Sequence, residues 1–193
     1  MKGALSAGKE ADSYERFREN MTTVQNLQER VSEYITRLFS SGNLTEQQSE
    51  HTAGLLYVAN NIQRIADRCQ DIDGIWEQIE RDGMNLSETA SEELEKCISI
   101  TLDLLNQAIE AVKAGSEEQA EQVFKNKKKM NKAEKKFNKA HLNRVKNQKC
   151  DPGMTTFFSG ILYNLERAAD NCVSIAEEAL DNPGFVKLGE DAR

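Results

Sequence analysis

Two acidic side chains one helical turn apart, Glu166 and Asp170, are the pair in this sequence best placed to share a cation. Residues at i and i+4 lie on one face of an α-helix, so carboxylates at that spacing can converge on a single ion. With no positive charge between them, the same two carboxylates weaken the helix slightly. Hard oxygen ligands suit iron, manganese, magnesium or calcium better than zinc, so a divalent or ferric ion is the cofactor this pair would take. An earlier stretch carries Asp67, with Gln63 where a matching Glu would stand and Asp71 one turn further on. The metal candidates are therefore Glu166, Asp170 and Asp67. The competing reading is that Arg64, Arg167 and nearby lysines neutralise these acids as ordinary ion pairs.

A second charged feature is the stretch from Lys125 to Lys149, in which Glu134 is the only acid. Lys127, Lys128, Lys129, Lys132, Lys135, Lys136 and Lys139 form its centre, the candidate patch for an anion or a membrane surface. Each basic residue held against anionic headgroups contributes about 1 kcal/mol. Phosphate, polyphosphate and RNA share the same negative charge. Nucleic acid also needs stacking groups, and Phe137, on the apolar stripe, is the only Phe, Tyr or Trp in the run. Nucleic acid is therefore not an expected partner. The alternative is a solvated face paired with Glu92, Glu93 and Glu95.

No group in the chain offers catalysis. His51 and His141 lack a Ser or Cys partner in a triad pattern, and neither has a Glu three residues before it, as carboxylate-bridged di-metal bundles require. No phosphate-cradling Gly loop and no H-E-x-x-H motif is present. No catalytic residue is assigned, and the chain is read as a non-enzyme. Cys69, Cys97, Cys150 and Cys172 form no C-x-x-C pair and are read as reduced core thiols.

The elements that must position these side chains are helices. Among 193 residues only 2 are Pro, 6% are aromatic and 30% are charged, a composition that favours long helices over sheet. The net charge of −7 repels nucleic acid and anionic lipid on average, so anion binding needs a local patch. No apolar run approaches the roughly 20 residues of a membrane span. Apolar stripes at three- and four-residue steps predict five helices. The first begins at Tyr14 and stops at Ser40–Asn43. The second has Thr45 and Gln48 as a capping box. The third begins near Ser87 and closes at Gly115. The fourth has a Ser116–Gln119 box, and the fifth has Asp151 as cap and Pro152 in its first turn. Residues 1–13 read as a flexible tail or linker and 183–193 as a C-terminal tail. Short connections imply antiparallel neighbours in a bundle.

The second and fifth helices repeat one another. Asn61-Ile62-Gln63-Arg64-Ile65-Ala66-Asp67-Arg68-Cys69 matches Asn164-Leu165-Glu166-Arg167-Ala168-Ala169-Asp170-Asn171-Cys172 in its Asn, Arg, Ala, Asp and Cys. Val31, Tyr34, Ile35 and Arg37 of the first helix fall opposite Asn138, His141, Leu142 and Arg144 of the fourth. Two copies of one helical unit are the expected organisation. The first, 14–83, has two helices and lacks an opening one; the second, 84–182, has three.

The stretch Leu165-Glu166-Arg167-Ala168-Ala169-Asp170 to Ile175-Ala176-Glu177 resembles the PhoU signature. Ser32–Leu38 and Leu44–Gln48 are similar to one branch of that family, the C-terminal cytoplasmic PhoU domain of bacterial sodium/phosphate cotransporters. The resemblance implies an all-α antiparallel bundle of two three-helix repeats and a non-catalytic regulatory role in phosphate uptake. It implies as partners a transporter's membrane domain and a second copy of the chain, and a place in the cytoplasm at the inner face of the cell membrane. The chain would be the excised domain or a stand-alone relative, its start inside the first repeat leaning towards excision. The family's Glu-x-x-x-Asp pairs are associated with metal. Here, however, the facing helices place Lys127 and Asn131 opposite the second pair, and Met21 and Gln25 opposite the first. A lysine ammonium there opposes a metal ion.

Overall fold

The computed structural model describes residues 2–182, 184 and 185. Among them it has five helices and no strand: α1 (Lys2–Ser40), α2 (Glu46–Arg81), α3 (Glu88–Ala114), α4 (Glu117–Lys146) and α5 (Met154–Asp181). The all-α antiparallel bundle is as the sequence predicts. Helices α3, α4 and α5 each pack against the other two, α2 lies along α5, and α1 touches α2 alone among the described residues.

Local chemistry sets the helix ends. Thr45 Oγ1 accepts the Gln48 N–H at 3.3 Å while Gln48 Oε1 accepts the Thr45 N–H at 2.9 Å, the reciprocal box that starts α2. Ser87 Oγ accepts from the Ala90 N–H at 3.3 Å to start α3. That helix ends on Gly115 in the left-handed region, φ 55°, where a residue without Cβ is least strained. At α4 only half of the expected box forms: Ser116 Oγ accepts the Gln119 N–H at 3.3 Å. At α5 the sequence reading is corrected, because the first helical residue is Met154, not Pro152. Asp151 Oδ1 accepts the Gly153 N–H at 2.7 Å, closing a turn before the helix begins.

Two further expectations change. The helix of α1 runs back to Lys2, through the segment expected as a tail. Ala4, Leu5, Ala7 and Ala11 are strong helix formers, and propensity can carry a helix where no apolar stripe marks it. At the other end, residues 183 and 186–193 of the expected tail lie outside the described residues, but Phe185 is fully buried. Its ring meets His51 edge-on at 5.0 Å. His51 is half-buried beneath it. A side chain on Gly184 would run into His51, so the close approach depends on glycine. Asn182 Nδ2 completes the latch by donating to the Glu50 carbonyl at 3.1 Å.

The core is densest where three helices meet. Leu104, Met130, Phe158, Leu162 and Ile175 are almost wholly buried there. Ala90, Ala108, Ala120, Ala169 and Ala176 are buried beside them, small side chains that let helix axes approach closely. The same core extends to α2 through Val58, Ile65 and Ile79, so the two sequence copies share one apolar interior. Burial also corrects the alignment of α1 with α4. Ile35 and His141 are both buried, whereas Tyr34 and Leu142 are 64% and 54% exposed. His141 therefore corresponds to Ile35, one residue away from the pairing first read, and this register also sets Met21 opposite Lys127.

Candidate functional site

Helix α5 places Glu166 and Asp170 on one face, as their spacing requires, and α4 brings Lys127 to meet them. The Lys127 ammonium contacts Glu166 Oε1 at 2.5 Å, the Glu166 backbone carbonyl at 3.2 Å, and Asp170 Oδ1. An ammonium has three N–H donors, and here each has an acceptor. The remaining carboxylate oxygens are held by Arg167, whose Nη2 lies 2.5 Å from Glu166 Oε2 and whose Nη1 lies 3.1 Å from Asp170 Oδ2. Each acid thus gives one oxygen to Lys127 and the other to Arg167. Lys127 and Glu166 are largely shielded, with side chains 13% and 17% exposed. Burial pushes the Glu166 carboxyl upward, but the hydrogen bonds and charges of Lys127 and Arg167 outweigh it and hold it below its ordinary value.

The related place in the α1–α2 pair carries less charge. Gln63 Nε2 donates to Asp67 Oδ1 at 2.8 Å, leaving one carboxylate where α5 has two. Asp71, the expected substitute, pairs with Arg68 at 2.9 Å instead. Arg68 also reaches across to α5 and donates to Asn164 Oδ1 at 3.2 Å. Asn61 and Asn164, equivalent in the repeat, each donate to the carbonyl four residues back, Tyr57 O at 2.9 Å and Gly160 O at 3.1 Å.

These residues do not fit a metal ion. Among the described residues no group of three or more His, Cys, Asp or Glu side chains is gathered as a metal site would need. Glu166 and Asp170 come together as predicted, but around a lysine, and Asp67 lies in the other copy beside an amide.

The basic run divides in two. Lys127 leaves the surface patch to which the sequence assigned it and joins the acids. Lys128, Lys132, Lys135 and Lys139 stand exposed at steps of four, three and four, with Lys129 and Lys136 flanking them. None of these six makes an ion pair among the described residues. The expected pairing with Glu92, Glu93 and Glu95 of α3 does not form. Glu93 turns inward and takes Arg144 in a two-pronged bond, Oε1 to Nη1 at 3.1 Å and Oε2 to Nη2 at 2.6 Å.

That pair adjoins a buried histidine. His141 is fully buried, stacked on Phe158 with ring centres 4.5 Å apart, and both of its ring nitrogens lack a partner among the described residues. Burial, followed by the nearby Arg144 charge, pushes its pKa below the usual 6.5, against a smaller opposing pull from Glu93. The thiols behave as core groups: burial raises Cys172 to about 12 and Cys97 to about 11. Cys69 and Cys150 are half-buried, and burial raises Cys69 as well.

The α3–α5 unit is thus a three-helix bundle with its signature acids facing the middle helix. Residues 94–179 match the PhoU domain. The match starts on α3 at Leu94 and ends near the close of α5 at Ala179, covering the three helices that pack around one another. A PhoU domain points to a regulatory role in phosphate homeostasis. No curated protein and no solved structure matches the chain. No helix among the described residues is long and apolar enough to cross a membrane.

Proposed function

We propose that this chain is a regulatory docking domain for phosphate uptake, the cytoplasmic PhoU-like part of a sodium/phosphate cotransporter or a stand-alone relative of it. The PhoU match over 94–179 carries the reading. Its partner is a transporter's membrane domain, which it meets at the inner face of the cell membrane. The exposed lysine row of α4 supports that placement, because ammonium groups along one helix face, unpaired among the described residues, attract anionic headgroups. The control is exerted through how the bundle packs against its membrane partner.

The test is phosphate uptake in cells that lack this coding segment, complemented with the wild-type chain or with Lys128, Lys132, Lys135 and Lys139 all changed to Glu. Loss of the chain is expected to leave uptake unresponsive to external phosphate. The wild-type chain restores the response, and the charge-reversed chain, although folded, does not. Uptake that responds normally without the chain would overturn the reading.

A further inference from the structure

We propose that Lys127 is the resident cation of the α4–α5 carboxylate site, so that this chain has replaced a metal ion with its own ammonium group. Every carboxylate oxygen of the pair is already committed to a fixed positive charge. Lys127 takes Glu166 Oε1 and Asp170 Oδ1, and Arg167 takes Glu166 Oε2 and Asp170 Oδ2. The lysine is tied down as well, its third contact being the Glu166 backbone carbonyl at 3.2 Å. A divalent ion entering here would have to expel a shielded ammonium that has no other acid within reach among the described residues. Two positive charges in that space would repel one another.

The replacement also explains why the acids persist without a metal. An uncompensated carboxylate pair one turn apart weakens its helix, whereas a cation from a neighbouring helix turns the pair into a clamp between α4 and α5. The copy of the motif in the α1–α2 pair removes the same repulsion by another route. It has Gln63 in place of the Glu, and Met21 at the position of Lys127. One copy supplies a cation and the other deletes an anion, and neither leaves two acids for a metal.

The consequence is a latent site. Replacing Lys127 with Met, the residue its counterpart already uses, frees Glu166 Oε1 and Asp170 Oδ1. Asn131, one turn beyond Lys127 on α4, holds a buried Oδ1 with no partner among the described residues, and an amide oxygen is of the kind Mn²⁺ accepts.

The full chain, purified without a histidine tag, is titrated with Mn²⁺ by calorimetry, and its thermal midpoint is followed with Mn²⁺ and with EDTA. Wild type and Lys127→Arg are expected to bind no Mn²⁺ and to melt alike in both solutions. Lys127→Met is expected to melt lower in EDTA, to bind one Mn²⁺ per chain and to regain its midpoint as it does so. Adding Asp170→Asn to it abolishes that binding. Circular dichroism shows whether Lys127→Met is folded; Lys127→Gln replaces it should it not be. Stoichiometric Mn²⁺ on the wild-type chain, lost in Asp170→Asn, would overturn the proposal. So would a folded Lys127→Met or Lys127→Gln chain that ignores Mn²⁺.

Discussion

The α1–α2 pair and the α3–α5 unit carry related sequences, yet they bury them differently. Phe158 and Leu165 of α5 are 0% and 6% exposed, while their counterparts on α2, Leu55 and Ile62, are 38% and 37% exposed. The cause is α3, which covers the groove between α4 and α5; nothing among the described residues covers the corresponding side of α1 and α2. A single helix thus decides whether the same stripe becomes core or surface. The polar residues follow: where the third helix is present, Glu93 on it pairs with Arg144, and where it is absent Leu38 stands at the matching place on α1.

The largest expected effect tests that difference directly. Phe158→Ala should cost about 3–5 kcal/mol of stability in urea unfolding, the usual range for emptying a buried aromatic site. Leu55→Ala should cost less than about 1 kcal/mol, as an exposed position does. Equal costs would mean that the α1–α2 groove is covered in solution. Next comes Glu93→Gln, which strips a shielded guanidinium of its carboxylate; a loss of about 2–4 kcal/mol is expected. No comparable loss should follow any single polar change on α1, and a mutational scan of that helix would reveal one.

A smaller effect, of opposite sign, is expected at His141. Its buried ring has two nitrogens unsatisfied among the described residues, and its counterpart is the apolar Ile35. His141→Leu should therefore stabilise the protein by about 1–2 kcal/mol, since a lost orphan polar group is a gain. The pH dependence follows with its sign. Burial lowers the folded pKa of His141 from 6.5, so below that value the unfolded chain takes up a proton that the fold resists. Stability from this site is complete above 6.5 and is lost as pH falls through the window beneath it. Thermal midpoints measured between about pH 7 and about pH 5 should fall in wild type and fall less in His141→Leu. Glu166 adds a separate loss only below its ordinary 4.5, because its folded pKa is depressed. The smallest contrast concerns thiols. Cys69 should be alkylated faster than its counterpart Cys172, which is fully buried and raised to about 12. Equal labelling rates would show that α5 opens as readily as α2.

Much of this was legible in the chain because it is local. Thr45, Ser87 and Gly115 act within one turn of where they stand, and the spacing of Glu166 and Asp170 fixes their common face. Even the cation at Lys127 could be anticipated, from the resemblance that sets Lys127 and Asn131 opposite the acids. What sequence could not supply were contacts between distant segments. Phe185 lies beyond the last helical stripe and is buried only because the chain folds back onto His51. Glu93 and Arg144 sit among many charges, and nothing local distinguishes these two as the pair that turns inward. The misplacement of His141 by one residue has the same origin, since alignment by residue type ignores which side of a helix faces α3. The α1 start shows the converse: alanine-rich propensity extends a helix where no stripe announces it.

The lysine row on α4 is a local positive face on a chain of negative net charge. At separations of several Debye lengths salt screens the net charge of −7 from an anionic surface. Within about 8–10 Å the nearest face governs instead. On the proposed reading, contact with an anionic surface is therefore favoured with α4 leading. Added salt weakens that close attraction, so binding to an anionic surface should fall steadily as ionic strength rises.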